Sequence, residues 1–168
     1  MTPSTFIFDT NVLSAFAIAG QLSQLEVRYR HRAHWVDVVH SEIARGVSTE
    51  PALGDVLAAT WLAPPIETFA PADIERVRQR LGGHARRPAE HLGEAASIVY
   101  ALRHNHTFAT DDQDAKRVAE HDGCLVVTTV TILRACVRDA QLTATEANAM
   151  LAMLVGEHRR RLPSSLDA

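Results

Sequence analysis

A chain of 168 residues, 46% hydrophobic and 22% charged, has the make-up of one soluble globular domain. At that size it buries roughly 70% of the surface its unfolded chain exposes and needs no staple. Its net charge of −3 excludes a protein that coats nucleic acid by bulk charge, though not one that meets it through a local basic patch. No apolar run approaches the ~20 residues that span a bilayer, and no secretory leader pattern precedes the first apolar run. Cys124 and Cys136 have neither metal spacing nor a disulfide framework. The expectation is a cytoplasmic protein with reduced, buried thiols.

Phe6, Ile7 and Phe8 read as a short buried strand that delivers Asp9 into "TN". Val12, Leu13, Phe16 and Ala19 then fall at helical spacing. The polar segment "LSQLEVRYRHR" follows, and "AHWVDVVHSEIARGV" gives a short apolar run into a helix stopped by Gly46. "PALGDVLAAT" reads as a helix begun by Pro51, and "WLAPPIE" as a short extended piece limited by Pro64 and Pro65. In "PADIERVRQRL" Ile74, Val77 and Leu81 share one helix face, which Gly82 and Gly83 end before the basic loop "HARRP".

The strongest helix is "AEHLGEAASIVYALRHN", with Leu92, Ala95, Ala96, Val99 and Leu102 on a broad apolar face. "HTFAT" reads as a strand, "DDQDAKRVAEHDG" as a helix, "CLVVTT" as a strand and "VTILRACVRDA" as a helix. "TATEANAMLAMLVGEHRRR" closes the chain as a helix capped by Thr143 or Thr145. Strands separated by single helices imply parallel pairing through right-handed crossovers, and hence one three-layer α/β/α domain with a central parallel sheet. Residues 1–140 form its main body, and 141–168 form a helical extension packed on the same domain.

Acidic residues recur at matching places on this skeleton. Asp9 ends the first strand; Asp111 and Asp112 end "HTFAT", with Asp114 one turn further on. The carboxyl ends of parallel strands are where such sheets bind ligands. Glu94 lies in the most apolar helix among the small residues Gly93, Ala95, Ala96 and Ser97, which let a backbone or ligand approach. Glu42 lies near the start of "VVHSEIARG". Taken singly, the aspartates read as helix caps, Glu42 as a solvated first-turn residue, and Glu94 as a partner of Arg103 or His91. Taken together they repel: a pair of like charges ~4 Å apart costs about 4 kcal/mol at an effective dielectric of 20. No buried lysine or arginine beside them in sequence relieves this, whereas a divalent cation would. All-oxygen ligands suit Mg²⁺ or Mn²⁺. None of the nine histidines forms a zinc cluster, and nucleophile elbows, a Walker loop and GxGxxG are absent.

"FIFDTNVL", "SEIARG", "LGEAASIVYA" and "FATDDQDAKRVAE" followed by "VVTT" resemble, in order and spacing, the PIN-domain family. That family includes the ribonuclease toxins of bacterial VapBC-type toxin–antitoxin pairs, and the likeness covers roughly residues 4–140. Through it Asp9, Glu42, Glu94 and Asp112 occupy the family's four acidic positions. Asp111 or Asp114 substitutes or assists, Thr10 and Asn11 match the polar residues after the first aspartate, and Thr110 matches the hydroxyl before the last. The chain is longer than compact toxins, through "HARRP" and the tail, which places it near a longer PIN-like subgroup.

The resemblance implies a Mg²⁺- or Mn²⁺-dependent endoribonuclease cutting single-stranded RNA to 5′-phosphate and 3′-hydroxyl ends, with a toxin's role in a type II pair. Asp9, Glu94 and Asp112, assisted by Asp114, would hold the metal, and Glu42 would position or deprotonate the attacking water. Arg86 and Arg87 are candidate phosphate contacts, with Arg28, Arg30 and Arg32 as a second patch. A homodimer and a small antitoxin are the expected partners, with Met150, Met153 and "HRRR" at 158–161 as the docking element. Two rivals remain. An aspartyl-phosphate enzyme is disfavoured because Asn11 stands where its second acid belongs and no lysine closes a strand. A non-catalytic module that binds RNA or protein is disfavoured because it has no use for mutually repelling carboxylates.

Overall fold

Strand β1 (Phe6–Phe8) lies between two parallel partners, β2 (Ala33–His34) on one side and β3 (Thr107–Ala109) on the other. β4 (Val126–Val127) pairs in parallel with the far side of β3, so the sheet order is β2-β1-β3-β4. This is the parallel α/β architecture expected from the alternation of elements. The computed structural model describes residues 5–83, 87–158 and 160–167. Strands buried on both faces read as near-continuous runs, which explains why FIF and TFA carry no alternation, while VV at the edge is half-buried. The extended piece around Ile66 continues the β2 edge: Ile66 N donates to the Trp35 carbonyl at 2.9 Å, and Asp37 N donates to the Ile66 carbonyl at 2.9 Å.

Helices flank the sheet. α1 (Thr10–Ile18) and α2 (Leu22–Tyr29) link β1 to β2. α3 (Asp37–Gly46), α4 (Leu53–Leu57), α5 (Pro71–Arg80) and α6 (Leu92–His104) bring the chain back across to β3. α7 (Gln113–His121) leads to β4, and α8 (Thr129–Arg138) and α9 (Ala144–Gly156) follow it. The chain leaves β1 toward β2 and leaves β3 toward β4, in opposite directions. The carboxyl ends of these two adjacent strands therefore flank a crevice, the switch point at which open parallel sheets bind ligands. Phe8 pairs with Ala109, so Asp9 and Thr110 are the next residues out on either side of it.

The core gathers Phe8, Phe16 and Phe108 with Leu13, Leu25, Ile43, Ile98, Ile132 and Leu133, all fully buried. Each such side chain contributes about 1.5–3 kcal/mol on leaving water. Cys124 and Cys136 are free and buried, and burial pushes both thiols up from their ordinary pKa. Among the described residues no helix is long and apolar enough to cross a membrane.

The C-terminal helix belongs to this core. Thr143 caps α9: its hydroxyl accepts from Glu146 N at 3.2 Å, while Thr143 N donates to Glu146 Oε2 at 2.8 Å. Ala147, Met150, Leu151 and Leu154 form a buried apolar stripe, and Met153 lies beside it. Met150 is thus packing surface, while Met153 of the expected docking element is partly open. Leu154→Ala should lower stability by about 2–5 kcal/mol in denaturant unfolding, as a buried Leu→Ala does. Truncation after Asp139 should yield aggregated protein. A soluble, cooperatively unfolding truncation would show that α9 is dispensable.

Candidate active site

Asp9 is the first residue past β1, and it is 98% buried. It caps α1, its Oδ1 accepting from Thr10 N at 2.8 Å. Oδ2 accepts from Asn11 Nδ2 at 2.8 Å and from Thr110 Oγ1 at 2.9 Å. A carboxylate offers about four lone-pair positions, so three are occupied and one on Oδ1 is left for something else. Thr110 is also fully engaged: its hydroxyl donates to Asp9 and accepts from Asn11 Nδ2 and from Asp112 N, both at 3.2 Å. Asn11 Oδ1 accepts from Asp111 N at 3.0 Å. Thr10, Asn11 and Thr110 therefore stitch the ends of β1 and β3 into one rigid edge with Asp9 at its centre.

Glu94 reaches the same edge from the first turn of α6. That helix starts at His91, which is left-handed (φ 58°) and provides no side-chain cap. Glu94 instead lies at the helix's positive end, where a carboxylate is favoured. Glu42 comes from the middle of α3 and accepts from the Thr10 hydroxyl. Its carboxylate lies against Gly93 so closely that a Cβ there would be 2.8 Å from Oε1 and 3.0 Å from Oε2. Gly93 is the gap through which α3 brings its acid to the face of α6.

The charges act on one another. Burial raises the Asp9 carboxyl well above its ordinary pKa, and the charges of Glu94 and then Glu42 add to the rise. The groups that pull it back are neutral donors, the Thr110 hydroxyl and Thr10 N. Burial also raises Glu94, opposed by its own backbone N–H and by His91 and augmented by Glu42 and Asp112. These are oxygen donors of the kind that suits a hard cation. Among the described residues no group of three acids, histidines or cysteines is arranged to enclose a metal ion. That arrangement is compatible with Mg²⁺, which binds through one or two carboxylates and retains several waters.

The three adjacent aspartates part company here. Asp112 caps α7 by accepting from Ala115 N at 2.7 Å, and its charge acts on Glu94. Asp111 turns toward α8, accepting from Thr129 N at 2.7 Å and Thr129 Oγ1 at 2.6 Å, and burial raises its pKa. Asp114 is exposed and ion-paired with Arg117, so the structure does not bring it to the other acids. Of the basic candidates, Arg86 lies outside the described residues, and Arg87 is exposed and pairs with Glu90 at 3.5 Å. Arg28 pairs with Asp139 and Gln141, and Arg30 with Glu26, where α2 leads into the start of β2. That is the amino edge of the sheet, opposite Asp9, and Arg32 there lies over the Phe6 and Tyr29 rings. Thr129 and Arg160 are contributors that sequence reading did not place: Arg160 donates to the Asn11 carbonyl at 2.8 Å. Only "TT" and the basic run hinted at them. A cavity of about 460 Å³ between α2 and α8 includes none of the clustered acids.

With this geometry in view, the family comparison is decisive: the model of DUF3368, a PIN domain, matches residues 5–166. The chain belongs to the PIN-domain family. PIN domains are generally nucleases that work with divalent metal ions, and in that general sense this chain is a hydrolase of the nuclease type. The match runs through α9 and into the tail. No curated protein and no solved structure matches this PIN domain.

Two outcomes test the geometry of this PIN domain. Gly93→Ala should leave thermal stability unchanged or slightly raised, since alanine is favoured over glycine in a helix by about 1 kcal/mol. The same change should displace the Glu42 carboxylate and lower nuclease turnover at least tenfold. Full activity in that variant would free Glu42 from any role. The second outcome concerns pH. A raised carboxyl pKa means the folded state holds the proton more tightly than the unfolded state. Asp9 therefore opposes folding increasingly as pH rises above the ordinary carboxylate range of about 4, until its own raised pKa is passed. In metal-free buffer Asp9→Asn, which retains an oxygen for the α1 cap, should melt above wild type at neutral pH, with the gap shrinking toward pH 4. A gap that is constant with pH would contradict the buried-charge account.

Proposed function

We propose that this PIN domain is a Mg²⁺- or Mn²⁺-dependent endoribonuclease acting on single-stranded RNA. The observation that carries the reading is Asp9, a carboxylate buried beside two others, whose hydrogen-bond partners among the described residues are all neutral donors. Among the described residues no cation bonds Asp9, and a divalent cation would supply the missing positive charge.

In this reading Asp9, Glu94 and Asp112 hold the ion directly or through water. When bound, it supplies an activated water at neutral pH and neutralises charge on the phosphate in an in-line displacement. Glu42, fixed by the Thr10 hydroxyl and the notch at Gly93, keeps one oxygen free to orient and deprotonate the attacking water. Water adds to phosphorus and the bond to the 3′ oxygen breaks, leaving a 5′-phosphate and a 3′-hydroxyl. Asn11 and Thr110 touch no reacting atom; they hold Asp9 and Asp112 in register. The resemblance of the acidic motifs to VapBC-type toxins supports a toxin's role, with a homodimer and a small antitoxin as partners.

Cleavage of a single-stranded RNA oligonucleotide, with labelled ends, tests this. Wild type should cleave in Mg²⁺ or Mn²⁺ and stop on chelation. Asp9→Asn, Glu94→Gln and Asp112→Asn should each lose at least a hundredfold in rate, whereas Asp114→Asn should retain wild-type activity. Binding without cleavage by folded wild type would make the chain a non-catalytic PIN-like module.

A further inference from the structure

The tail beyond α9 returns to the edge that carries the acids. Arg160 Nη1 donates to the Asn11 carbonyl at 2.8 Å, and Nη2 donates to Ser14 Oγ at 2.7 Å. Farther on, Leu166 is buried; its N–H donates to Asn148 Oδ1 at 2.8 Å, and its carbonyl accepts from Arg134 Nε at 3.1 Å. The tail is thus pinned at both ends. Between the pins it walls two hollows of about 170 and 230 Å³, which share Asp111, Arg161 and Leu162. The smaller opens onto Asn11 and Asp112; the larger runs on past Lys116 and Arg134.

The charge along this groove is unbalanced. Arg160, Arg161, Lys116 and Arg134 line it against the carboxylates of Asp111 and Asp112. Asp111 is already engaged by Thr129. Arg160 is half-buried, and both of its direct bonds go to neutral oxygens. Arg134 is bonded to a carbonyl. Lys116 has only a 3.9 Å contact to Glu120, and Arg161 is exposed with no ion pair among the described residues. A basic groove thus opens directly beside an acidic site.

We propose that this groove, between the C-terminal tail and the start of α7 and α8, seats the phosphodiester backbone of single-stranded RNA next to the bond that the carboxylates cut. The proposal rests on the nuclease reading above. A cluster of acids repels a polyanion, so the strand must be held by cations close by. Arg28 and Arg30 are at the opposite edge and already neutralised. Arg161 offers the forked donors that match phosphate oxygens, and Arg160, held by its own bonds, adds charge behind it. Leu162 and Pro163 add an apolar wall for a sugar or base face. An acidic peptide has the right charge too, but the opening onto Asp112 favours a strand that continues to the reacting phosphate.

The test uses the full chain and a fluorescent single-stranded RNA oligonucleotide. Binding is read by anisotropy in the Asp9→Asn background to prevent turnover, and cleavage in the wild-type background. Arg161→Ala should weaken binding about tenfold, the loss of one charge-assisted contact. It should reduce the slope of log affinity against log salt by about 0.7, as for one phosphate on a single strand. It should raise KM and leave kcat unchanged. Arg161→Glu should act more strongly in the same sense, and Arg28→Ala should change nothing. Unchanged affinity and slope in both Arg161 variants would overturn the groove, and persisting cleavage would then leave the nuclease reading intact. Arg161-dependent binding without cleavage by wild type would support the groove and sink the nuclease. If a polyglutamate peptide of matched charge displaces the RNA as well as unlabelled RNA does, the occupant is an acidic peptide and the proposal fails.

Discussion

Asp9 is a carboxylate placed where water scarcely reaches it, and its three hydrogen bonds decide how the rest of the edge is built. Its Oδ2 joins a side chain of α1 to a hydroxyl just past β3, so two strands that pair through their backbones are also locked through one acid. Neutral donors can orient a buried carboxylate but do not cancel its charge. The raised pKa of Asp9 expresses that remainder. An acid left in this state is a poor choice for stability and a sensible one for binding a cation, the usual trade at a functional site.

The other acids arrive by routes that share one feature, a missing obstacle. Glu94 sits in the first turn of a helix with no capping side chain, so the positive helix end is open to it. Glu42 depends on the hydrogen at Gly93 and on the Thr10 hydroxyl. Asp112 takes over a cap, and Asp111 is drawn off toward α8. Two neighbouring aspartates thus do different work because a strand's side chains alternate and the turn after it points them apart. The chemistry proposed for the site is borne by the three clustered acids and Asp112; Asp111 ties β3 to α8.

The C-terminal segment joins packing to the catalytic edge. The apolar stripe of α9 fills the core, and this fixes where the chain emerges. From there the tail crosses back to α1, and Arg160 bonds the carbonyl of Asn11, the residue that holds Asp9. A segment that reads as an addition to the domain is therefore coupled to its site. The family match, which extends to residue 166, agrees with that.

Much of this was legible in the amino-acid order. Apolar triplets bounded by helical periodicity gave the parallel α/β alternation, because burial on both faces demands unbroken apolar strands. An aspartate at the end of such a strand already marked the carboxyl edge, and the small residues around Glu94 already indicated a close approach, now seen at Gly93. The cap of α9 was legible as one of two threonines, and the reciprocal bonds with Glu146 select Thr143. What the sequence could not decide depended on distance in space. Asp111, Asp112 and Asp114 are indistinguishable locally, and only the position of α8 and Arg117 separates them. Arg28, Arg30 and Arg160 are alike as charges, yet two lie at the amino edge and one beside Asp111. Local order sets periodicity, turns and caps through contacts a few residues long. Which charges meet is set by the strand order and by where α9 packs, and no short stretch of the chain contains that information.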